Sequence, residues 1–265
     1  MLPQLIALDM DGTLLDAHGN LPPDFSELHE RAESLGCTLV PASGRQLATL
    51  KWMFPHVGTF IAENGAVVMH QGEVIATFPL PAETVHSVRE TSAAITQPHT
   101  LVLCGSETAY VRKDVSAAAR AEIAKYYKSV TWVDSLEGVP DTGIIKIAMY
   151  CEAGSEAHLL APVSAAVGFD NIAVSGAVWL DVMAAGVDKG EALAALARLS
   201  DVPLSRTAAF GDFLNDYELL QRAGLAIAMD NAHPSLKEIA DIIAPPNTEY
   251  GVSTVLRELF AKADD

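Results

Sequence analysis

Residues 5–15 read LIALDMDGTLL, and the interpretation of the whole chain begins with them. The first four residues are apolar and predict a short buried strand. Asp9 and Asp11 follow that strand one residue apart, and Gly12 then indicates a turn. Because side chains at positions i and i+2 of an extended segment point the same way, both carboxylates should face one spot beyond the strand end.

Two carboxylates held close together repel each other and need a positive counter-charge. A hard divalent cation with oxygen ligands supplies that charge, and Mg²⁺ suits a site with few carboxylates and a phosphate. A carboxylate in such a place can also act as a nucleophile and form an acyl phosphate. Taken alone, the pair is equally well explained as two solvated aspartates in a turn, so the rest of the chain has to decide.

Composition limits the classes of partner. The 265 residues suffice for one large domain or two modest ones, and half of them are apolar, which is not typical of a disordered chain. The net charge of −17 argues against nucleic acid or an anionic membrane as the main partner, because both need basic patches. A small anionic substrate is still allowed, because a bound cation can invert the local field.

The sequence also predicts where the protein resides. No apolar run approaches the roughly 18 residues of a spanning helix, and the N-terminus lacks a charged region followed by a long apolar one. The three cysteines, Cys37, Cys104 and Cys151, are odd in number and widely spaced. Reduced thiols and a cytoplasmic location are therefore expected.

Strands and helices alternate after the first strand. A helix precedes a strand at Cys37–Ala42, and a further helix is predicted over Arg45–Met53. This rhythm is typical of βαβ units and a parallel sheet, in which ligands collect beyond the carboxyl ends of the strands. If the two strands are neighbours, Ser43 lies beside Asp9 and Asp11.

The alternation is interrupted in the middle of the chain. Between about residues 82 and 184, strands and helices follow a different order, which suits a sheet with helices on one face. The rhythm resumes at residue 185. We predict a doubly wound, mainly parallel Rossmann-like α/β core formed by residues 1–81 and 185–265, with an α+β cap domain, residues 82–184, inserted in it.

The second half of the chain supplies further candidate site residues. Asp212 follows an apolar strand, and Asn215 and Asp216 begin the next helix. A third carboxylate that converges on the first two would complete an oxygen-rich metal site. Lys189 opens another helix, where its ammonium and the helix N–H groups could both hold a phosphate.

Ser43 and Gly44 could add a hydroxyl and a backbone N–H as further anion donors. A nucleophile, an acid/base carboxylate, a metal and several anion donors together suit phosphoryl transfer. Each residue alone has a simpler explanation: Lys189 as a surface lysine, Ser43 as a helix cap, and Asp212 as a charge at a helix start.

Four segments of the chain resemble, in order, the motifs of the haloacid dehalogenase superfamily. They are DMDGT at 9–13, SGR at 43–45, DKG at 188–190 and GDFLND at 211–216. The insertion between the second and third motifs makes the chain most similar to the Cof-type phosphatases, which carry a class IIB cap. The resemblance covers essentially the whole chain.

The resemblance implies a role for each motif residue. Asp9 would be the nucleophile, and Asp11 the acid that protonates the leaving oxygen and then the base that activates water. Mg²⁺ would be held by the Asp9 carboxylate, the Asp11 backbone carbonyl and Asp212, with Asp216 supporting these ligands. The groups that would grip the phosphate are Ser43, Gly44, Lys189, Asn215 and the backbone of Met10. The implied activity is hydrolysis of small phosphate monoesters such as sugar phosphates.

Other residues are expected to have structural or solvent roles. Arg45 should be structural and paired with a carboxylate, and turn formation accounts for Asn64. Asp230 stands where the family usually has glycine, and we expect it to lie in solvent. Trp52 and Trp132 are expected in the core, as is Trp179, although Trp179 lies in the insertion and could line a pocket.

Two other functions stay open at this point. A sugar phosphomutase or another phosphotransferase would share the nucleophile and Asp11. A non-catalytic module that binds a phosphorylated metabolite needs no nucleophile, so the intact Asp9 argues against it. The expected partner is a small phosphorylated metabolite, and the sequence contains no indication of an oligomeric state.

Overall fold

The computed structural model of the chain describes residues 2–168 and 172–263, which form three β-sheets flanked by helices. The strands are β1 (Leu5–Leu8), β2 (Thr38–Pro41), β3 (Phe60–Ala62), β4 (Val67–His70), β5 (Glu73–Thr77), β6 (Thr100–Gly105), β7 (Ala109–Arg112), β8 (Val130–Val133), β9 (Ile144–Tyr150), β10 (Ile172–Gly176), β11 (Trp179–Met183), β12 (Thr207–Gly211), β13 (Ala226–Met229) and β14 (Ile242–Ala244). The α-helices are α1 (Phe25–Ser34), α2 (Leu47–Met53), α3 (Ala82–Ala94), α4 (Ala117–Tyr126), α5 (Ala161–Val167), α6 (Lys189–Leu199), α7 (Tyr217–Arg222), α8 (Pro234–Ile239) and α9 (Gly251–Ala261).

Parallel strands form the central sheet, in the order β14-β13-β12-β1-β2. Strand β1 lies between β12 and β2, and all of its residues are buried. The chain leaves this centre in opposite directions, through α1 towards β2 and through α7 and α8 towards β14. Right-handed crossovers in opposite directions put helices on both faces, which is the predicted doubly wound arrangement.

The second sheet has the order β10-β11-β9-β6-β7-β8 and draws all of its strands from residues 100–183. Its β7–β8 pair is parallel, whereas β10–β11, β11–β9, β9–β6 and β6–β7 are antiparallel. Helices α3 and α5 pack against each other beside it. The predicted fold class, a parallel α/β core with an additional α+β layer, is confirmed. The division at residues 81/82 and 184/185 stays a prediction.

A three-stranded antiparallel sheet, β3-β4-β5, extends the central sheet. A parallel bridge between Ala42 and Ile61 joins the two. Gln71 and Gly72 connect β4 to β5, and both have positive φ (50° and 88°), as the central residues of a type I′ hairpin turn require. This small sheet brings the segment after β3 to the edge where β1 and β2 end.

One hydrophobic core runs from the central sheet to one face of the second sheet, so Phe210 of β12 and Val102 of β6 belong to the same cluster. A second cluster fills the space between the second sheet and its helices, with Val85 and Leu159 among its members. No helix in the part of the chain that the structure describes is long and apolar enough to cross a membrane.

Two details differ from the sequence prediction. Helix α2 begins at Leu47 and not at Arg45, because the backbone N–H of Arg45 donates to Ser43 Oγ (3.2 Å) in a tight turn. The prediction that Trp52 lies in the core is wrong, since it is 66% exposed and the ammonium of Lys128 lies over its ring.

We expect Phe210→Ala to lower the free energy of unfolding by about 3–5 kcal/mol, because Phe210 is fully buried in β12 and its loss leaves a cavity. Urea unfolding followed by circular dichroism measures this change. Leu199→Ala is the control, since Leu199 is 55% exposed at the end of α6 and should change stability by about 0.5 kcal/mol or less. Equal losses in the two variants would contradict this description of the core.

Candidate active site

The candidate active site is a pocket of about 70 Å³ at the carboxyl ends of β1, β2 and β12. It is lined by Asp9, Asp11, Ser43, Gly44, Arg45, Tyr126, Tyr127, Lys146, Ser175, Trp179, Asp181, Asp212, Phe213 and Asn215. The pocket therefore brings together predicted residues from three separate motifs, and the second sheet and its helices supply part of its wall. Lys189 lies directly behind it and bonds to both Asp9 and Asp216.

The turn after β1 brings Asp9 close to Asp212. The backbone N–H of Leu14 donates to the Asp9 carbonyl (3.2 Å), which closes a wide turn at the end of the strand. Gly12 has φ +83° within this turn, and a Cβ there would lie 2.2 Å from Asp212 Oδ2. Only glycine allows both this conformation and this close approach.

Lys189 joins two of the carboxylates. It is fully buried, and its Nζ donates to Asp9 Oδ1 (2.6 Å) and to Asp216 Oδ1 (2.7 Å). Asp188 caps the helix that begins here, because its carboxylate accepts from the N–H of Glu191 (2.8 Å). Burial lowers the pKa of Lys189, but Asp216 and Asp9 outweigh this effect and raise it above its usual value, so the ammonium stays charged.

Asp216 is held on both of its oxygens. Its Oδ1 accepts from Lys189, and its Oδ2 accepts from the backbone N–H groups of Asp212 (3.1 Å) and Phe213 (3.3 Å). Asp212 receives one side-chain hydrogen bond, from Thr13 Oγ1 to its Oδ1 (3.2 Å). Asp216 therefore fixes the loop that presents Asp212. Its role in supporting metal ligands stays a prediction.

The chemistry of these groups fits a divalent cation. Oxygens of Asp9, Asp212 and Asp216 lie within 4.8 Å of one another, and Lys189 is bonded to two of these three carboxylates. Burial and Asp216 raise the pKa of Asp9 to about 7, against the opposing effect of Lys189. Burial and Asp9 raise the pKa of Asp212 to about 8. If all three carboxylates were ionised, they would carry more negative charge than the one lysine balances, which is why these pKa values rise, and a cation would remove the excess.

Asp11 pairs with Arg45 and not with Lys189. Arg45 Nε and Nη2 donate to its two oxygens (2.9 and 2.5 Å), which is a bidentate pair. A third donor, Arg45 Nη1, bonds to the carbonyl of Lys125 at the end of α4 (2.8 Å), and the guanidinium lies 4.9 Å from the ring centre of Tyr126. The expected pairing of Arg45 with a carboxylate is therefore present, and it also ties Asp11 to the second-sheet region.

The remaining predicted phosphate-binding residues surround the same space. Ser43 and Gly44 form the turn after β2, and Asn215 lies in the turn that leads into α7. The amide of Asn215 donates to Asn64 Oδ1 (3.3 Å). The Met10 side chain is fully buried, which leaves its backbone for a contact with a ligand. The roles assigned to these residues stay predictions.

A buried cluster beside the pocket escaped sequence reasoning. Lys146 Nζ lies 2.5 Å from Glu63 Oε2 and 3.9 Å from Asp181 Oδ2, and all three side chains are at most 5% exposed. Asn64 Nδ2 donates to Asp181 Oδ2 (2.7 Å) and to Ser175 Oγ (3.1 Å). Asn64 therefore does more than form a turn, because it joins the central-sheet side of the pocket to the second sheet.

The sequence contained a signal for part of this cluster. Lys146 stands in IIKIAMY, residues 144–150, where one lysine interrupts an otherwise apolar strand, and buried lysines need a partner. The partner could not be identified, because Glu63 and Asn64 adopt the left-handed conformation, with φ of 52° and 54°, which their sequence does not specify. By contrast, Asp230 is exposed and pairs with Lys237, as expected for a solvated carboxylate.

Comparisons with known proteins agree on one family. The family model for haloacid dehalogenase-like hydrolases matches residues 6–256. The 5-amino-6-(5-phospho-D-ribitylamino)uracil phosphatase of Escherichia coli strain K12 is 29% identical over 263 residues, which are 97% of this chain and 96% of that protein.

Solved structures share the whole fold. The crystal structure of SMU.1108c from Streptococcus mutans aligns with a TM-score of 0.88 at 25% identity and covers 98% of this chain and 99% of that one. A haloacid dehalogenase subclass IIB sugar phosphatase aligns with a TM-score of 0.83 at 22% identity over 96% of this chain and 98% of that one, a likeness that concerns the fold alone.

We expect the stability of the metal-free protein to fall as pH rises. The pKa values of Asp9 and Asp212 rise from the ordinary 3.8 to about 7 and about 8 on folding, so the folded protein holds more protons than the unfolded chain between these values. The free energy of unfolding therefore decreases from about pH 4 to about pH 8. A cation binds the ionised carboxylates, so stabilisation by Mg²⁺ should grow over the same range.

Thermal unfolding with EDTA or Mg²⁺, at about pH 6 and about pH 8.5, measures both effects. Asp212→Asn should lose most of the Mg²⁺ stabilisation, whereas Asp230→Asn, an identical change at an exposed carboxylate, should keep it. A Mg²⁺ effect of the same size at both pH values in the wild type would rule out this assignment of the cation site.

Proposed function

The chain belongs to the haloacid dehalogenase-like hydrolases and is a phosphatase of that family, and we propose that it hydrolyses small phosphate monoesters through an aspartyl-phosphate on Asp9. One observation carries the proposal. The buried Asp9 carboxylate borders the pocket, bonds to a charged lysine on one oxygen, and lies beside further carboxylates that can share a cation. A nucleophilic carboxylate for phosphoryl transfer needs these features.

In the first step, Asp9 attacks the phosphorus while the bond from phosphorus to the ester oxygen breaks. Lys189 holds Oδ1 of Asp9 (2.6 Å), so Oδ2 is the oxygen available for attack. Protonated Asp11 gives its proton to the leaving oxygen. The products are an alcohol, an acyl phosphate on Asp9 and an ionised Asp11.

Asp11 has to change partner for this step. Both of its oxygens accept from Arg45, so this pair has to break before Asp11 can protonate the leaving oxygen. Its side chain is 45% exposed, so it has room to turn from Arg45 towards the leaving oxygen. Arrival of the substrate phosphate beside Arg45 offers the guanidinium another anion and would release Asp11.

In the second step, water attacks the phosphorus of the acyl phosphate and the bond to Asp9 breaks. Asp11, ionised by the first step, accepts the proton of the attacking water. Inorganic phosphate leaves, and both aspartates return to their starting protonation states. Ser43 Oγ and the Gly44 N–H border the same pocket and would donate to the phosphoryl oxygens in both steps.

Mg²⁺ is the cation that we propose for the carboxylate cluster. The Asp9 and Asp212 carboxylates and the Asp11 backbone carbonyl would hold it, and Asp216 would support Asp212. When bound, Mg²⁺ would neutralise charge on the phosphoryl oxygens. The excess negative charge of the cluster supports this choice, and oxygen ligands suit a hard cation.

The wall contributed by the second sheet and its helices suits a hydroxylated leaving group. Tyr126 and Trp179 present aromatic rings with centres 5.7 Å apart, and Asp181 and Ser175 lie on the same wall. A sugar or polyol can pack its C–H groups on such rings and donate its hydroxyls to a carboxylate. The phosphoribityl group in the name of the Escherichia coli relative's substrate supports this class.

We further propose that residues 82–184 form a cap over a core made of residues 1–81 and 185–265. The second sheet belongs entirely to the first of these ranges, and its helix α4 meets α2 of the core. Thr49 Oγ1 donates to the Tyr126 carbonyl (2.8 Å) across this contact. A cap in this place would exclude water from the pocket during reaction.

A cytoplasmic location stays part of the proposal. Cys37, Cys104 and Cys151 are all free and buried in the described chain. Reduced, unpaired thiols are typical of proteins in a reducing compartment.

We expect the wild type, in the presence of Mg²⁺, to release phosphate from p-nitrophenyl phosphate and from members of a panel of sugar and polyol phosphates. Phosphate release should stop when EDTA is added. Asp9→Asn should lower kcat by about a thousandfold or more, because the amide cannot form the acyl phosphate. A colorimetric phosphate assay measures both results.

Asp230→Asn is the matched control and should keep wild-type activity, since its carboxylate is exposed and pairs with Lys237. Phosphate release that survives in Asp9→Asn would contradict the mechanism. Interconversion of sugar phosphate isomers without phosphate release would favour a phosphomutase instead.

A further inference from the structure

We propose that Lys146, a lysine on strand β9 of the second sheet, positions the phosphate-binding turn of the core, so that the cap completes the phosphate site as well as covering it. The inference rests on the proposed function. Lys146 acts through Gly44 and through a chain of buried contacts that ends at Asn215.

A direct hydrogen bond joins the second sheet to the turn after β2. Lys146 Nζ donates to the backbone carbonyl of Gly44 (2.6 Å), and the lysine is 1% exposed. The same peptide unit is held at its other end, because the N–H of Arg45 donates to Ser43 Oγ (3.2 Å). The turn that offers the Ser43 hydroxyl and the Gly44 N–H to a phosphate is thus fixed by a side chain from another sheet.

A chain of buried polar contacts leads from Lys146 to Asn215. Lys146 lies 3.9 Å from Asp181 Oδ2, which accepts from Asn64 Nδ2 (2.7 Å). The other end of the same amide, Asn64 Oδ1, accepts from Asn215 Nδ2 (3.3 Å). One buried ammonium therefore influences the phosphate-binding groups on both sides of the pocket.

The backbone around Asn64 is held in an unfavourable conformation. Glu63 and Asn64 both have positive φ, although neither is glycine. A Cβ at Gly65 would lie 2.3 Å from the Asp188 carbonyl, immediately before Lys189. This segment therefore packs against the start of α6 in a strained backbone conformation. Such strain is typical of functional sites, where surrounding contacts impose the geometry.

Charge explains why a lysine is needed here. Burial lowers the pKa of Lys146, but Asp181 and Glu63 outweigh this effect and raise it, so the ammonium is charged. A charged donor makes a stronger and more directional bond to the Gly44 carbonyl than a neutral one. Removing Lys146 alone would leave Glu63 and Asp181 buried and unbalanced, so a useful test has to remove one carboxylate as well.

The test compares a charge-balanced double variant with a structural control. Lys146→Met combined with Glu63→Gln removes one charge of each sign and breaks the bond to Gly44. Ile147→Ala weakens the same strand from its other face, since Ile147 is fully buried in the second cluster, between the second sheet and its helices. The measurements are kcat with p-nitrophenyl phosphate and Mg²⁺, the inhibition constant of inorganic phosphate, and the thermal midpoint.

Inorganic phosphate is the decisive probe because it has no leaving group. A cap residue that recognises only the leaving group would not change its inhibition constant. We expect the double variant to raise that constant and lower kcat by about tenfold each, as expected for loss of a charged hydrogen bond that orders the turn. Ile147→Ala should lower the thermal midpoint and leave the constant within about twofold.

An unchanged inhibition constant in the double variant would overturn the proposal. If that variant does not fold, Lys146→Gln combined with Glu63→Gln replaces it, since glutamine is one atom shorter than lysine and cannot make the charged bond to the Gly44 carbonyl. A raised constant then supports positioning, and an unchanged one overturns it.

A wild type without hydrolytic activity would refute the proposed function separately. The same variants are then compared by calorimetric titration with inorganic phosphate. Weaker binding by the double variant supports the positioning role, whereas equal binding, or no binding by the wild type, overturns it.

Discussion

The structure of the pocket depends on one buried ammonium group, that of Lys189, at the edge of the central sheet where several carboxylates lie close together. Asp9 and Asp216 both bond to it, and Asp212 lies within the same cluster. Without a central positive charge, repulsion and burial would keep these groups protonated or apart. The lysine also distinguishes the two oxygens of Asp9, since it bonds to Oδ1 and, in the mechanism that we propose, leaves Oδ2 to attack the phosphorus. Stability is not the reason for such a cluster, because buried ion pairs often stabilise less than apolar packing.

The two sides of the pocket are connected by similar means. Arg45 bonds to Asp11 and to the carbonyl of Lys125, and Lys146 bonds to Glu63 and to the Gly44 carbonyl. Arg45 links Asp11 to the second-sheet region, and Lys146, which itself lies on β9 of the second sheet, contacts two groups of the central-sheet region. The position of the second sheet is therefore coupled to the geometry of the turn after β2, which we propose binds the phosphate, and not only to the space for a leaving group.

Sequence reasoning succeeded where a local pattern has a single physical solution. The apolar run before Asp9 predicted a short buried strand, the alternation that follows predicted a parallel sheet, and the structure has β1 over Leu5–Leu8 in such a sheet. It failed where neighbours from distant parts of the chain decide. Trp52 lies on the outer side of α2, whose buried residues include Leu47 and Leu50, and nothing in the local composition identifies which face meets the core.

The sequence by itself determined the α/β fold class, the strand ends that carry the acidic and predicted phosphate-binding motifs, and the candidate residues. It could do so because the periodicity of a strand and the spacing of neighbouring carboxylates are set within a few residues. Only the tertiary structure decided the partner of each charge. Arg45 bonds to Asp11 across 34 positions, and Lys146 bonds to Gly44 across 102. Such pairs form because a buried charge is stable only when it is paired with another charged or polar group. The fold decides which groups are near enough to pair, and these groups cannot be identified from their spacing in the sequence.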